Sequence, residues 1–210
     1  MTRILIVDDH SIVRKGLMQI VSECPGLSVT AEASSGAEAL ELARTQDFDI
    51  AIIDIAMPGR GGLDVLKDLR AQKPSLKVVV LSMYSEEQYA IRSLRDGASA
   101  YLTKGSAPDE LVDAIRAVAA GRRYITPAVA ERIAGYLDRG AFEPLHETLS
   151  DRELRVLVLL GAGKSVGDIA EELCLSVKTV STYRSRILGK MALASTADLI
   201  RYAIEHHLVG

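Results

Sequence analysis

Ile4-Leu-Ile-Val-Asp8-Asp9, close to the N-terminus, is a short apolar run that ends in two acids, and it decides the fold of the first half of the chain. Four further runs of similar length follow, and at least three of the five are apolar almost throughout, as expected of parallel strands covered on both faces. Segments with the helical period separate them. The predicted strands are Arg3–Val7, Leu27–Ala33, Ile50–Ile53, Lys77–Leu81 and Ala100–Thr103, and the predicted helices are Ser11–Glu23, Gly36–Arg44, Gly62–Lys73, Glu86–Arg95 and Pro108–Ala120. Five strands each followed by a helix predict a doubly wound α/β domain over residues 2–121.

The pattern changes after Gly121. Pro127–Arg139 is predicted to be a lone helix, and a linker follows it, so residues 122–145 form a connecting segment with one helix. From residue 146 to 210 no strand signal is present, and each of four helical stretches follows a serine that can cap it. The predicted helices are Asp151–Leu160, Val166–Leu173, Val177–Lys190 and Thr196–His207. The second domain is therefore expected to be small and entirely helical.

Composition excludes several classes of protein. Hydrophobic residues make up 48% and charged residues 25%, which excludes disordered and fibrous chains. No apolar run approaches the roughly 20 residues that span a bilayer, and two cysteines make neither a disulfide framework nor a metal cluster. We expect a soluble cytoplasmic protein without membrane contact. The net charge is −3, yet the stretch between Glu172 and Asp198 holds no acid, which hints at an anionic polymer as partner.

Polar side chains follow several of the predicted strands. Asp8 and Asp9 follow the first strand, Asp54 the third, Ser82 the fourth and Lys104 the fifth. Doubly wound sheets bind ligands at the carboxyl ends of their strands, and converging carboxylates suit Mg²⁺. A carboxylate beside Mg²⁺ can attack a phosphoryl group, and the developing charge calls for a cation and a hydroxyl nearby. The alternative is that these acids lie in loops and pair with Lys104 as an ordinary salt bridge.

The same residues resemble the receiver domain of two-component response regulators. The resemblance rests on Ile4-Leu-Ile-Val-Asp8-Asp9-His, Asp54-Ile-Ala-Met-Pro58-Gly59-Arg-Gly-Gly62-Leu, Ser82 and Tyr101-Leu-Thr-Lys104, and covers residues 2–121. It implies that Asp54 is the phosphoacceptor and that Asp8, Asp9, Asp54 and the backbone carbonyl of Ala56 bind Mg²⁺. It also implies that Ser82 and Lys104 contact the phosphoryl group and that Tyr101 is the aromatic that moves on activation. Gly105 stands where many receivers have proline, so no cis peptide is expected there, and Met57-Pro58-Gly59 is predicted to be a turn.

Gly161-Ala-Gly163-Lys164-Ser165 resembles the end of a nucleotide-binding P-loop. The full pattern requires glycine where the chain has Val158, and it requires a preceding strand where the pattern predicts a helix. A turn between two helices explains the glycines, and Lys164 is then available for a phosphate of DNA.

The order and spacing of the predicted helices in the last domain are typical of a helix-turn-helix. Val180, Ile187 and Met191 form an apolar stripe on the predicted helix Val177–Lys190. The remaining face carries Lys178, Ser181, Thr182 and Ser185, flanked by Arg184, Arg186 and Lys190. Cations there suit phosphates, and short hydroxyl side chains can reach base edges in a major groove. The alternative is a helical module that binds another protein.

This half of the chain resembles the LuxR-type DNA-binding domain. The resemblance rests on Leu149-Ser-Asp-Arg-Glu153, Gly163-Lys-Ser165, Ile169-Ala, Leu175-Ser, Thr179-Val and Ile187-Leu-Gly-Lys-Met191. Coupled to a receiver, this is the layout of the NarL/FixJ group. The resemblance implies base-facing positions at Ser181, Thr182 and Ser185, and backbone-facing ones at Lys178, Thr179, Arg186 and Lys190. Tyr183 replaces the histidine of many relatives, which leaves that contact open.

These patterns together predict a transcriptional regulator controlled by phosphorylation rather than an enzyme. The expected partners are double-stranded DNA, a sensor histidine kinase, a second copy of the chain on phosphorylation, and RNA polymerase. One alternative is a flavodoxin-like phosphatase, which would need an acid two residues after its nucleophile, where this chain has Ala56. Another is a receiver that acts only through protein contacts.

Overall fold

A computed structural model describes residues 1–57, 61–83, 86–138 and 144–209, without the side chains of residues 86–88, 132 and 135–138. The chain divides into two compact units, Met1–Gly135 and Tyr136–Gly210. The predicted turn at Pro58-Gly59, residue Arg139 and the first part of the predicted linker lie outside the described residues.

The first unit is built on a parallel sheet of five strands in the order β2-β1-β3-β4-β5. The strands are β1 (Thr2–Val7), β2 (Leu27–Ala33), β3 (Ile50–Asp54), β4 (Lys77–Ser82) and β5 (Ala100–Thr103), and the helices that follow them are α1 (Ser11–Ser22), α2 (Gly36–Thr45), α3 (Gly62–Gln72), α4 (Glu86–Arg95) and α5 (Pro108–Ala119). Each predicted strand and helix of this unit is present, with ends that differ by at most one residue. The predicted doubly wound fold is confirmed.

The core of the first unit lies on the two faces of this sheet. Every residue of β3 is buried, which explains why its sequence is apolar up to the final acid. On one face, Ile4 and Ile52 pack with Val21 of α1 and Ile115 of α5. The packed sheet therefore holds the ends of its central strands in place, and with them the polar residues at those ends.

The first compact unit also includes the segment that follows Gly121. The Tyr124 N–H donates to the Ser99 carbonyl at 3.0 Å, and Tyr124 packs against the core of the sheet. Helix α6 (Pro127–Asp138) follows, and its Val129 is buried. The segment after α5 is thus attached to the β5 edge, because it adds a parallel bridge to Ala100.

The second unit is helical throughout its described part. After a 3₁₀ turn at Leu145–Thr148 come α7 (Asp151–Gly161), α8 (Val166–Glu172), α9 (Val177–Met191) and α10 (Thr196–Glu205). The four predicted capping serines each accept a hydrogen bond from the backbone N–H three residues later; they are Ser150, Ser165, Ser176 and Ser195. A serine cap thus marks the start of each of the four α-helices α7, α8, α9 and α10.

The two glycines of the sequence that resembles a P-loop have structural causes. A Cβ at Gly161 would lie 2.6 Å from the Ala203 Cβ, so this glycine lets α7 and α10 approach closely. Gly163 has a φ of +81°, which favours glycine. The preceding segment is helix α7 rather than a strand, so the nucleotide-binding alternative fails on structure as it does on sequence.

Candidate functional site

The parallel strands bring three of the predicted site residues into contact. Asp8 follows β1, Asp54 ends β3 and Lys104 follows β5. The Lys104 Nζ lies 2.7 Å from Asp8 Oδ2 and 2.7 Å from Asp54 Oδ2. Asp9 belongs to the same group, because one ligand atom from each of Asp8, Asp9, His10 and Asp54 lies within 4.8 Å of the others. We call Asp8, Asp9, Asp54 and Lys104 the strand-end cluster.

The strand-end cluster is buried and carries excess negative charge. Asp8 and Asp54 are each 1% exposed, and the Lys104 side chain is 10% exposed. Three carboxylates and one ammonium leave a net charge of −2. The salt bridge of the alternative interpretation is therefore present, but it does not neutralise the group. Burying unbalanced charge is costly, so the arrangement favours binding of a further cation.

The pKa values in the strand-end cluster follow from burial and pairing. Burial raises the pKa of Asp54 above its usual value, against the hydrogen bonds from Lys104 and from the Ala56 N–H. Burial disfavours the charged form of Lys104, but its hydrogen bonds to Asp54 and Asp8 outweigh this and raise the Lys104 pKa. Lys104 is therefore a firmly charged ammonium at neutral pH.

The loop after Asp54 is held close to the carboxylate by backbone contacts. The Ala56 N–H donates to Asp54 Oδ1 at 2.8 Å, so Ala56 lies beside the carboxylate as the predicted carbonyl ligand requires. A Cβ at Gly62 would lie 2.3 Å from the Asp54 carbonyl oxygen and 2.4 Å from the Ile55 Cα. Only glycine fits there, because the first turn of α3 touches the backbone of the acidic strand end. This role of Gly62 was not predicted from the sequence, although the pair Gly61-Gly62 at a helix start is a visible signal.

Ser82 and Tyr101 occupy the neighbouring strands. Ser82 ends β4 with no exposed surface, and its carbonyl accepts the Lys104 N–H at 2.7 Å. Tyr101 lies within β5 and is 1% exposed. The structure thus places Ser82 beside the Lys104 backbone, at the same edge of the sheet, and places Tyr101 in the core of the first unit.

His10, which directly precedes α1, contacts both acids of the first strand end. Its side chain is 64% exposed, yet its Nδ1 lies 3.0 Å from Asp9 Oδ1 and its backbone N–H donates to Asp8 Oδ1 at 2.8 Å. Arg14 donates to the Asp8 carbonyl at 2.8 Å. The start of α1 therefore orients the two acids of the first strand end.

The donors of the strand-end cluster fit a magnesium ion. Asp8, Asp9 and Asp54 offer carboxylate oxygens close enough to share one cation, and Mg²⁺ prefers oxygen ligands while keeping several waters. The net charge of the cluster supplies the electrostatic driving force.

In the second unit, α9 has one buried and one exposed face. Val180, Ile187 and Met191 are buried. At 100° per residue the side directly opposite carries Lys178, Thr182 and Ser185, all exposed. We call Lys178, Ser181, Thr182 and Ser185, with Arg184 and Arg186 at its flanks, the α9 face. Within this face Lys178, Thr182, Ser185 and Arg186 are exposed, whereas Ser181 and Arg184 are half-buried.

Two predicted DNA-contacting lysines have protein partners in this structure. Lys190 Nζ lies 2.6 Å from Glu153 Oε2, and Lys164 pairs with Glu172. Thr179 has a half-buried side chain whose hydroxyl lies 2.7 Å from that of Ser176. Lys164 and Lys190 are nonetheless exposed, as are Lys178 and Arg186 of the α9 face.

Two family models match the chain. The response regulator receiver domain matches residues 4–116, and the luxR family of bacterial regulatory proteins matches residues 147–203. The chain belongs to the two-component response regulators. It combines a receiver domain with a LuxR-type helix-turn-helix domain, as in the NarL/FixJ group, so it is a phosphorylation-controlled transcription regulator by family.

Curated and solved relatives agree with this assignment. The chain is 37% identical over 214 residues to the response regulator GacA of Pseudomonas aeruginosa, covering 100% of this chain and 98% of GacA. It is 36% identical over 209 residues to the response regulator UvrY of Escherichia coli K12, covering 99% and 96%. The solved structure of RcsB from Salmonella enterica serovar Typhimurium, bound to promoter P1flhDC with the phosphomimetic BeF3−, matches with a TM-score of 0.64 and 25% identity over 96% of this chain and 97% of that one.

Within the described ranges, no helix has the length and apolar character needed to cross a membrane.

Proposed function

We propose that this response regulator accepts a phosphoryl group on Asp54 and that phosphorylation controls binding of the α9 face to double-stranded DNA. In this proposal, residues 2–121 act as the receiver, residues 122–145 as the connecting segment and residues 146–210 as the DNA-binding domain. The observation that carries the proposal is the buried Asp54 carboxylate, 2.7 Å from the Lys104 ammonium at the carboxyl edge of the sheet.

In the proposed reaction, one Asp54 carboxylate oxygen attacks the phosphorus atom of the donor. The new oxygen–phosphorus bond forms as the bond from phosphorus to the leaving group breaks, so that an acyl phosphate results. The donor is the phosphohistidine of a sensor kinase or a small acyl phosphate. The Lys104 ammonium offsets charge on the phosphoryl oxygens, and the Ser82 hydroxyl donates a hydrogen bond to them.

The proposed metal ligands are Asp8, Asp9, Asp54 and the backbone carbonyl of Ala56. When bound, Mg²⁺ supplies positive charge that stabilises the transferring phosphoryl group. The chain itself holds the acids in place: the His10 N–H fixes Asp8, and the Ala56 N–H fixes Asp54.

Signal transmission is proposed to start with a competition for Lys104. The ammonium now contacts both Asp8 and Asp54, and a phosphoryl group on Asp54 adds about −1.5 to −2 charges nearby. Lys104 and Ser82 then move toward it, and Tyr101, three residues before Lys104 on β5, moves with the strand end. This change favours homodimers and releases the DNA-binding domain.

For DNA, we propose that Ser181, Thr182 and Ser185 reach base edges and that Lys178, Arg184 and Arg186 contact phosphates. Support comes from the exposed residues of the α9 face and from the solved RcsB relative, which binds a promoter. Thr179, Lys164 and Lys190 are proposed as further contacts at the rim. Both lysines must first leave their present partners, Glu172 and Glu153.

The remaining partners and properties complete the proposal. A sensor histidine kinase is the physiological donor, RNA polymerase is the downstream contact, and the protein acts in the cytoplasm as a regulator rather than as an enzyme. The residue two positions after Asp54 supports this, because Ala56 stands where the rival phosphatase chemistry would need an acid.

The first test measures phosphoryl incorporation from acetyl phosphate with Mg²⁺. The parent should gain one hydroxylamine-labile group, and Asp54→Asn should gain none, because an amide does not attack phosphorus. Asp47→Asn is the matched control, since Asp47 is an exposed acid that pairs with Lys73. Undiminished incorporation in Asp54→Asn would remove this residue from its role.

The second test measures affinity for duplex DNA as a function of salt. Lys178→Ala and Arg186→Ala should each weaken binding to all sequences and reduce the magnitude of the negative slope of log K against log salt by about 0.9. Phosphorylated protein should dimerise and bind at least about fivefold more tightly than unphosphorylated protein. Equal sedimentation and affinity in both states would contradict control by the receiver.

A further inference from the structure

Two side chains at the centre of the α9 face use their hydroxyl protons within the helix. The Thr182 Oγ1 donates to the Lys178 carbonyl at 2.9 Å, and the Ser185 Oγ donates to the Ser181 carbonyl at 3.0 Å. Both residues are exposed and lie opposite the buried stripe of α9. Both side chains thus face outward, while the hydroxyl proton of each points to a backbone carbonyl of the preceding helical turn.

This hydrogen bonding limits what each hydroxyl offers to a base. A hydroxyl has one proton to donate and two lone pairs that accept. With the proton committed to a carbonyl four residues earlier, Thr182 and Ser185 present acceptor lone pairs to the outside. To donate to a base, either side chain must first give up its bond within the helix.

The bases differ in what they present in the major groove. Adenine presents the N6 amino group and cytosine the N4 amino group as donors, whereas guanine presents N7 and O6, and thymine O4, as acceptors. An outward acceptor on the protein therefore matches adenine and cytosine. Thr182 carries a methyl group on the same Cβ, and this methyl can contact the thymine methyl of an A·T pair.

We propose that α9 selects operators by base amino groups: Thr182 accepts from adenine N6 of an A·T pair, and Ser185 accepts from an adenine or cytosine amino group. This rests on the proposed function, because it names the sequence class that the same helix reads. A G·C pair at the Thr182 position is disfavoured, since it offers neither the adenine amino group nor the thymine methyl group.

The experiment begins with the full chain, phosphorylated, selecting duplexes from a randomised library. Positions read by each hydroxyl are those whose preference changes in Thr182→Val or Ser185→Ala. Thr45→Val is the matched control, because the Thr45 hydroxyl makes the same bond to a carbonyl four residues earlier, the Glu41 carbonyl, on α2 of the receiver unit. Thr45→Val should leave the selected sequence unchanged.

Base analogues then test the direction of the hydrogen bond. Replacing adenine by purine at the Thr182 position removes the amino group, and it should weaken binding of the parent by roughly three- to tenfold, the range for one hydrogen bond. Replacing it by 7-deazaadenine removes an acceptor and should have no effect. In Thr182→Val the purine penalty should disappear, which assigns the amino contact to this hydroxyl.

The outcomes separate this inference from the proposed function. A selected operator with a G·C pair at the Thr182 position, or one weakened by 7-deazaadenine and not by purine, would overturn the amino-group inference alone. Failure of the full chain to select any duplex would overturn the proposed DNA-binding function together with it. Circular dichroism of each variant confirms that α9 is folded, so an altered preference reports on the contact.

Discussion

The strand-end cluster and the α9 face differ in burial and in the number of elements that build them. The cluster gathers Asp8, Asp54 and Lys104 from three strand ends, buries them and leaves them short of positive charge. The α9 face presents Lys178, Thr182 and Ser185 from a single helix, exposed to solvent. A buried site depends on every element that positions it, whereas an exposed helix face depends on the helix alone. Substitutions in the two regions should therefore differ in the breadth of their effects.

The largest effect is expected from Lys104→Met. It removes the only positive charge in the strand-end cluster as defined here and leaves two carboxylates that are 1% exposed. Breaking a buried pair costs about 3–5 kcal/mol of unfolding free energy. Loss of the ammonium should also slow phosphorylation by about 10²–10³-fold, as expected when one electrostatic stabiliser is removed. Stability is measured by urea unfolding, monitored through hydrogen exchange of peptides from β1 and β3. Phosphorylation is measured as phosphoryl incorporation from acetyl phosphate.

Lys73→Met is the control for that variant. Lys73 also forms a 2.7 Å ion pair, with Asp47, but the Asp47 side chain is 68% exposed. Exposed pairs contribute up to about 1 kcal/mol, so Lys73→Met should change the unfolding free energy and the phosphorylation rate little. Similar effects in both variants would mean that burial does not distinguish the strand-end cluster.

A smaller effect, still centred on the cluster, is expected from Gly62→Ala. The added Cβ would lie 2.3 Å from the Asp54 carbonyl oxygen, so the backbone of the acidic strand end must move. Such overpacking costs about 1–3 kcal/mol, and we expect phosphorylation to slow about tenfold because Asp54 moves with its backbone. Gly61→Ala is the matched control, since its Cβ would meet only the Asp64 carboxylate oxygen at 3.8 Å. Equal rates in the two variants would contradict the positioning role of Gly62.

The two regions also differed in how well the sequence predicted them. Local signals sufficed for the strands and for the capping serines, since an apolar run or a serine before a helix acts within a few residues. Asp8, Asp54 and Lys104 were predicted to meet because parallel strands end at a common edge. The pairing of Lys190 with Glu153 was not predicted, because it joins residues 37 apart and depends on how α9 packs against α7.

Lys190 and Lys178 provide the next test, on one helix. Glu153 is 3% exposed and pairs with Lys190, so Lys190→Met should lower the stability of the second unit by about 1–3 kcal/mol, the cost of depriving a buried carboxylate of its charged hydrogen-bond partner. Lys178→Met should leave stability unchanged and should reduce the salt dependence of DNA binding instead. Methyl resonances of Leu157 during urea unfolding report on the second unit. A larger loss of salt dependence in Lys190→Met than in Lys178→Met would reverse these roles.

The smallest effect concerns the pH dependence of the same pair. Burial raises the pKa of Glu153, but the hydrogen bonds from Lys190 and Ser150 outweigh it and hold the pKa below its ordinary value. The folded state therefore releases this proton more readily than the unfolded state. The resulting stabilisation is complete above the unfolded pKa of about 4.3 and is lost as the pH falls through the folded pKa. Glu153→Gln should be less stable than the parent at pH 7, by less than the Lys190→Met effect, and the difference should shrink on acidification below pH 4.3. Asp168 and Asp198, whose pKa values are also lowered by their capping serines, titrate alike in both proteins and cancel in the comparison. A difference in unfolding free energy that stays constant from pH 7 to pH 3 would mean that the Glu153 carboxylate gains nothing from Lys190.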